Sequence, residues 1–480
     1  MLDWIRRLIG VPETAPFEPV RPLRLETSVK KTPTDWLENS PWKGNEEVSA
    51  ALRLMEQTSR HIFITGAAGS GKSTMLRYWR ERTSKRVQVL APTGVAALNV
   101  EGRTLHSFFK FPPRLLQAHD IDEVSDRSRW RWLQTLVIDE IGMVRADMLD
   151  AVDQFLRLNG PRPGEIFGGV QVVMVGDPLQ LPPIVERDLA EYFHRADKNG
   201  PGYSAPYFFA SKIWPEARVK CFDFKHVYRQ DDGPFLSFLS RARMGEVSDT
   251  DLFLLNSLLS EPKDNESKVS LVGQNAVADR INNRRLGLLP KPEGIYRGTV
   301  TGRWNEKDLP VPVELRLRRG AWVMMAKNDA SKRWVNGSFG IVEELGKDSV
   351  WVRVYSTDRP TALYEVLPEL WSRERHRWNA DGTAIQSEFE SSYRQIPLNL
   401  AWAVTIHKSQ GKTLKKARID TGDGLWESGH AYTALSRLKN MDGLVLTHPL
   451  TRGDFKTSQV VRGFLEQIVS KKLADKTSGE

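Results

Sequence analysis

From about residue 46 onward, short apolar runs that close in polar or glycine-rich loops alternate with stretches of helical spacing. Four of these runs predict strands. Ile62–Thr65 leads into Gly66–Ser73, and Val87–Leu90 into Ala91-Pro92-Thr93-Gly94. Leu136–Ile138 leads into Asp139-Glu140, and Val172–Val175 into Gly176-Asp177-Pro178-Leu179-Gln180. Their near-continuous apolar character predicts a parallel sheet buried on both faces. Ligands of such sheets bind beyond the carboxyl ends of the strands, where each of these loops falls. After the first loop, Met75, Leu76 and Trp79 share one face of a predicted helix.

A second α/β region starts near residue 220, with Phe222–Gln230, a helical stretch Phe235–Met244, and Leu271–Asn275. Over 316–394 the texture changes. Ala321–Ala326, Gly340–Glu344 and Val350–Tyr355 read as short strands, and Asn336-Gly337 is a hairpin turn signal. A small inserted β-barrel is expected there, with the α/β pattern resuming near Pro397 and ending near 448. At the start, Trp4, Ile5, Leu8 and Ile9 suit a short amphipathic helix that docks on a partner protein or on its own chain. Pro12, Pro16, Pro19 and Pro22 then predict a linker up to residue 45. The tail, with Lys471, Lys472 and Lys476, is expected to fray.

A length of 480 residues exceeds one ordinary core and predicts at least two main lobes. Lys and Arg outnumber Asp and Glu by 69 to 60, for a formal charge of +9, which suits a polyanionic partner. A mean hydropathy of −0.43 and the lack of a long uncharged apolar run argue against a membrane span. Charges interrupt the apolar start Met1–Ile9, unlike a signal peptide. The single cysteine, Cys221, permits no internal disulfide, and the nine histidines show no ligand spacing. A reducing cytoplasm is the expected compartment, at the nucleoid if the host is bacterial.

The chemistry concentrates in the loops. Gly66-Ala67-Ala68-Gly69-Ser70-Gly71-Lys72-Ser73 fits G-x-x-x-x-G-K-[ST] at every fixed position. Glycines let backbone N–H groups wrap a phosphate, Lys72 supplies a charge for the β/γ-phosphates, and the Ser73 hydroxyl is placed for Mg²⁺. Gly66, Gly69, Ser70, Gly71, Lys72, Ser73 and Thr74 are thus the candidate nucleotide-binding set. Asp139-Glu140 qualifies as the second nucleotide motif, Asp139 for Mg²⁺ and Glu140 for the attacking water. Gln180 closes another strand and suits a γ-phosphate sensor. Weaker signals stay open. Phe108 and Phe109 serve base stacking and core packing equally well. Trp371–Trp378 interleaves basic and aromatic residues, reading first as a solvated barrel loop and second as a DNA clamp.

Further motifs follow in order: Gly94–Asn99, Gly102–Phe108, Phe167–Gln171, Tyr228-Arg229-Gln230, Trp402–Leu414 and Tyr432–Arg437. The ordered set resembles the Pif-one family of DNA helicases, in superfamily one beside the RecD-type enzymes, over roughly 46–448. The resemblance implies an α/β fold with two RecA-like P-loop lobes. Lobe 1A would span 46–220 with a small 1B wedge near 107–132. Lobe 2A would span 221–315 and 395–448, with an SH3-like 2B domain at 316–394 and a tail at 449–480. It further implies that Gln180, Arg229 and Arg437 meet the γ-phosphate. Thr93, His106, Thr405 and His407 would face the DNA backbone, and Gln410 and Gly411 would couple nucleotide to strand.

The implied activity is ATP- and Mg²⁺-dependent unwinding by a protein moving 5′ to 3′ on single-stranded DNA, acting on forks or partial duplexes in replication, repair or recombination. A monomer in solution is expected. The competing readings are a translocase that remodels protein–DNA or G-quadruplex structures, and a nucleotide-controlled DNA-binding module. Three positions depart from the family pattern. Asn45–Val48 lacks the glutamine that reads adenine, Gly142 replaces a usual serine, and Pro178-Leu179 replace residues that are often aromatic.

Overall fold

The computed structural model describes residues 33–477 except 43, 94–95, 98–99, 101, 113, 186, 194–201, 228–232, 261–268, 303, 305–308, 332, 335, 356–360, 379–384, 412–413, 415, 423–424 and 426. The first lobe is built on six parallel strands: β1 (Ile62–Gly66), β2 (Val87–Ala91), β3 (Arg103–Thr104), β4 (Thr135–Ile138), β5 (Gln171–Val175) and β6 (Lys220–Phe224). Their order is β3-β2-β4-β5-β1-β6. Strands β1, β4 and β5 are buried along their whole length, as continuous apolar runs require when helices cover both faces. One departure concerns the lobe boundary. The second lobe was expected from residue 221, but β6 pairs with β1, Phe63 opposite Cys221. Its alternating burial is that of a half-covered edge strand.

The second lobe carries a four-stranded parallel sheet in the order Ala403–Thr405, Val269–Val272, Ala417–Asp420, Leu444–Leu446. The helix Gly233–Met244 presents Phe235, Phe238, Leu239 and Ala242 to its core. Between Val269–Val272 and Ala403–Thr405 lies the β-rich insertion. Five antiparallel strands run Ala362–Val366, Val350–Tyr355, Phe339–Leu345, Trp322–Met325, Leu398–Leu400. Thr299–Gly302 and Glu369–Trp378 flank Ile385–Gln395 in a second sheet. The insertion thus begins at Glu293, ahead of the expected 316, because Glu293–Arg297 pairs with Glu314–Arg318. Leu315 and Leu317 then enter the same core as Val323, Val342 and Val352. Residues 371–378 form a strand rather than a loop, and Trp371 stacks on Tyr393.

One peripheral expectation changes. Residues 33–42 belong to the first lobe: Trp36 and Trp42 are buried, and both pack edge-on against Tyr78. The Trp4–Ile9 helix and the proline-rich stretch lie outside the described residues. The segment near 107–132 packs inward, with Phe108, Phe109, Phe111 and Trp130 in the first lobe's core. That settles the two phenylalanines as packing residues. The tail forms the helix Gln459–Thr477. Phe464 stacks on Phe209 at 4.0 Å, and Val461 is fully buried, so aromatic burial holds the first turns of this helix against the first lobe. Among the described residues no helix is long and apolar enough to cross a membrane.

Candidate functional site

The loop between β1 and the helix Lys72–Arg80 takes its shape from glycine. Gly69 and Gly71 have φ of +83° and +85°, conformations that a side chain would strain. A Cβ on Gly66 would lie 2.5 Å from the Phe224 carbonyl oxygen. Lys72 Nζ donates to the Gly66 and Ala67 carbonyls at 2.7 and 2.9 Å and to Ser70 Oγ at 3.3 Å. Burial lowers the Lys72 pKa, while Asp177, Glu140 and Asp139 act to raise it. The ammonium is therefore folded over its own loop. Ser73 and Thr74 begin the helix on an exposed turn.

Asp139 and Glu140 follow β4 directly. Burial, then the charge of Glu140, push the Asp139 carboxyl up to about 7. Glu140 has a φ of +51°, left-handed and non-glycine, a conformation that concentrates at functional sites. It aims its carboxylate at the second lobe, where Gln410 Nε2 donates to Oε2 at 3.3 Å. The departures at 142 and 178 meet each other: a Cβ on Gly142 would sit 3.2 Å from Pro178 Cα and 3.0 Å from the Asp177 carbonyl oxygen.

Asp177, beyond β5, is the hub of the cleft. Arg243 of the second lobe donates to it through Nε at 3.0 Å and Nη2 at 2.9 Å. Tyr432 donates its hydroxyl to Asp177 at 3.0 Å and accepts from the Ala68 amide of the phosphate loop at 2.8 Å. Burial opposes the Asp177 charge, yet Arg243 beside it holds the carboxyl below its ordinary range. Arg437, 3% exposed, reaches Gln180 Oε1 at 3.4 Å and is held by the Thr433 carbonyl and Ser436 Oγ. Gly429, with φ of +80°, lies against the Gln180 carbonyl so closely that a Cβ would collide with it.

Sequence reasoning did not assign Asp177, Arg243, Gly429 or Tyr432. Arg243 had a signal, since it falls on the apolar stripe of its helix four residues after Leu239. Tyr432 lies within a recognised motif. Gly429 had none, because close approach across a cleft leaves no local pattern. Arg229 lies outside the described residues.

The candidate DNA-facing residues stand at strand ends. Thr93 follows β2 and caps a turn by accepting from the Ala96 amide. Thr405 caps Ile406–Ser409 by accepting from the Lys408 amide. Thr93 is half-buried and Thr405 buried, and each hydroxyl keeps an O–H to donate. His106 follows β3 in the helix Leu105–Phe109, and burial followed by Arg145 lowers its pKa. His407 is likewise lowered, chiefly by burial. Gly411, φ +76°, follows Gln410 at the end of this segment. The histidines have no ligand spacing in sequence, but folding brings His407, Glu427 and His430 together.

Residues 45–249 match the PIF1-like helicase family. The chain is 31% identical over 414 residues to the "ATP-dependent DNA helicase Pif1" of Bdellovibrio bacteriovorus, covering 83% of this chain and 87% of that protein. The crystal structure of a Bacteroides Pif1 helicase in complex with ADP-AlF3 and ssDNA superposes with a TM-score of 0.76 at 31% identity, over 88% of this chain and 97% of that one. A structure described as the basis for unwinding at forked dsDNA by two coordinating Pif1 helicases superposes with a TM-score of 0.73 at 30% identity, over 90% and 97%. Likeness of this extent, over both lobes and the insertion, means that the chain belongs to the Pif1-like helicase family.

Proposed function

We propose that the chain is an ATP-dependent DNA helicase in which ATP closes the cleft between the lobes and hydrolysis opens it, moving the protein 5′ to 3′ along one strand. The observation that carries this reading is the set of contacts spanning the cleft: Tyr432 with Asp177 and Ala68, Gln410 with Glu140, and Arg437 with Gln180. A nucleotide bound on the first lobe is thereby sensed by the second.

The residues fit the roles. Lys72 is the charge for the β/γ-phosphates, and its present partners are carbonyls that a phosphate oxygen can replace. Glu140 accepts the proton of the attacking water, Gln180 orients it, and Arg437 neutralises charge developing on the γ-phosphate. Two carboxylates crowded at the end of β4 form a donor set that a hard divalent cation relieves. Ser73 and Asp139 would hold Mg²⁺, which supplies positive charge beside the phosphates when bound. Arg229 keeps its expected γ-phosphate role on motif alone. Thr93, His106, Thr405 and His407 suit the backbone of single-stranded DNA, and the insertion's five-stranded antiparallel sheet suits the SH3-like 2B domain.

The test is ATP turnover with and without single-stranded DNA, followed by unwinding of forks carrying one tail at a time. Strong stimulation, with unwinding only from a 5′ tail, is expected. Lys72→Ala should abolish turnover and leave strand binding. Stimulation without unwinding would favour the remodelling translocase, and slow turnover regardless of DNA the nucleotide-controlled binding module.

A further inference from the structure

We infer that His407, Glu427 and His430 form a site for a divalent transition-metal ion of the Zn²⁺ class, tying together two of the second-lobe elements that reach the nucleotide cleft. Glu427 Oε2 lies 3.2 Å from His430 Nε2 and 3.5 Å from His407 Nε2. All three donor atoms lie within 4.8 Å of one another. Zinc bound tetrahedrally at about 2.0–2.2 Å needs donors roughly 3.4 Å apart. Two edges already have that length, and only the imidazole–imidazole edge has to adjust. Two imidazoles and one carboxylate are a borderline-soft set that suits zinc or cobalt and leaves a position for water.

A second, independent observation points the same way. His430 is 3% exposed, and among the described residues neither ring nitrogen makes a hydrogen bond of acceptable direction, although Nε2 stands at ion-pair distance from Glu427. A buried imidazole nitrogen left without such a bond is costly, and a metal ion at the shared focus would engage Nε2. The backbone holds the trio in place. The His430 amide donates to the Glu427 carbonyl at 3.3 Å, and the two rings stand edge to face, 5.5 Å apart. Glu427, whose side chain is 51% exposed, gives an entry path.

The position gives the site a consequence. His407 stands on the turn that leads into Gln410, the partner of Glu140. His430 opens the helix that carries Tyr432, and Arg437 follows two residues after the helix ends. A metal bridging the two fixes the spacing of the groups that read the nucleotide.

The experiment is a Co²⁺ titration of the untagged full chain without nucleotide, in a Cys221→Ser background that removes the thiolate. Visible absorption reads low-coordinate Co²⁺, and Zn²⁺ displaces it. One equivalent of Co²⁺ should give the bands, and one of Zn²⁺ should bleach them. His430→Gln and Glu427→Gln should each weaken binding by tenfold or more, with folding checked by circular dichroism. Absence of the bands in the parent chain at about ten equivalents overturns the site, whatever the variants do. Undiminished binding in either folded variant overturns it too.

Discussion

The two faces of the nucleotide cleft are built in different ways. On the first lobe, one continuous stretch from β1 through the phosphate loop to Lys72–Arg80 supplies the glycines, the lysine and the serine, and Lys72 bonds to its own loop. On the second lobe, Arg243, Gln410, Gly429, Tyr432 and Arg437 come from three separate segments and act through partners on the first. The first face has its chemistry before the lobes meet, whereas the second acquires it only by meeting. Changes on the second face should therefore separate nucleotide binding from turnover.

The largest break in that comparison is expected from Arg437→Ala. Turnover should fall by on the order of 10³ or more, as for other arginines supplied across a cleft, while nucleotide binding falls much less. Near-normal ATPase activity in a folded Arg437→Ala protein would leave the second face without a catalytic part.

Gly429→Ala tests geometry alone, since it removes no charged or hydrogen-bonding side chain. The added methyl collides with the Gln180 carbonyl and holds the lobes apart. A misplacement of about 1 Å costs on the order of 10² in rate. Turnover should drop by that factor with single-strand binding retained; wild-type kinetics would mean the cleft works without this contact.

The Asp177–Arg243 pair sharpens the comparison as a stability measurement. Breaking one partner of a buried ion pair leaves the other charge uncompensated and costs about 3–5 kcal/mol. Asp177→Asn and Arg243→Met should each lower the denaturation midpoint strongly. The double variant should recover much of the loss, and simple additivity would mean that the pair does not couple the lobes.

The smallest effect is the pH profile of kcat/KM for Mg-ATP. Asp139 serves as a ligand only when ionised, and burial with Glu140 places its carboxyl at about 7. Activity should rise with pH through that value and flatten above it. Under kcat conditions, where the bound cation favours the anion, the limb should move to lower pH. A flat kcat/KM from pH 6 to 8 would remove Asp139 from the free-enzyme titration.

Much of the first face was legible because its determinants are local. A phosphate loop needs glycines at fixed offsets between a strand and a helix, and Gly66–Ser73 displays them in eight consecutive residues. The second face was legible only as motifs. Tyr432–Arg437 was visible, but the link from Tyr432 to Asp177 spans 255 positions. The lobe boundary was misplaced because Lys220–Phe224 has the pattern of an edge strand in either lobe, and only its pairing with β1 assigns it. The docking of the tail helix leaves no local pattern, because the Phe209 ring that Phe464 covers is distant in sequence.

The sequence by itself determined the parallel-sheet architecture, the phosphate loop and the carboxylate pair, since continuous apolar runs and glycine spacing act over a few residues. The tertiary structure alone decided that Asp177 joins the lobes, that Gly429 must be glycine, and that His407, Glu427 and His430 converge. Those facts depend on distances between segments tens to hundreds of residues apart, which packing fixes and local pattern does not encode.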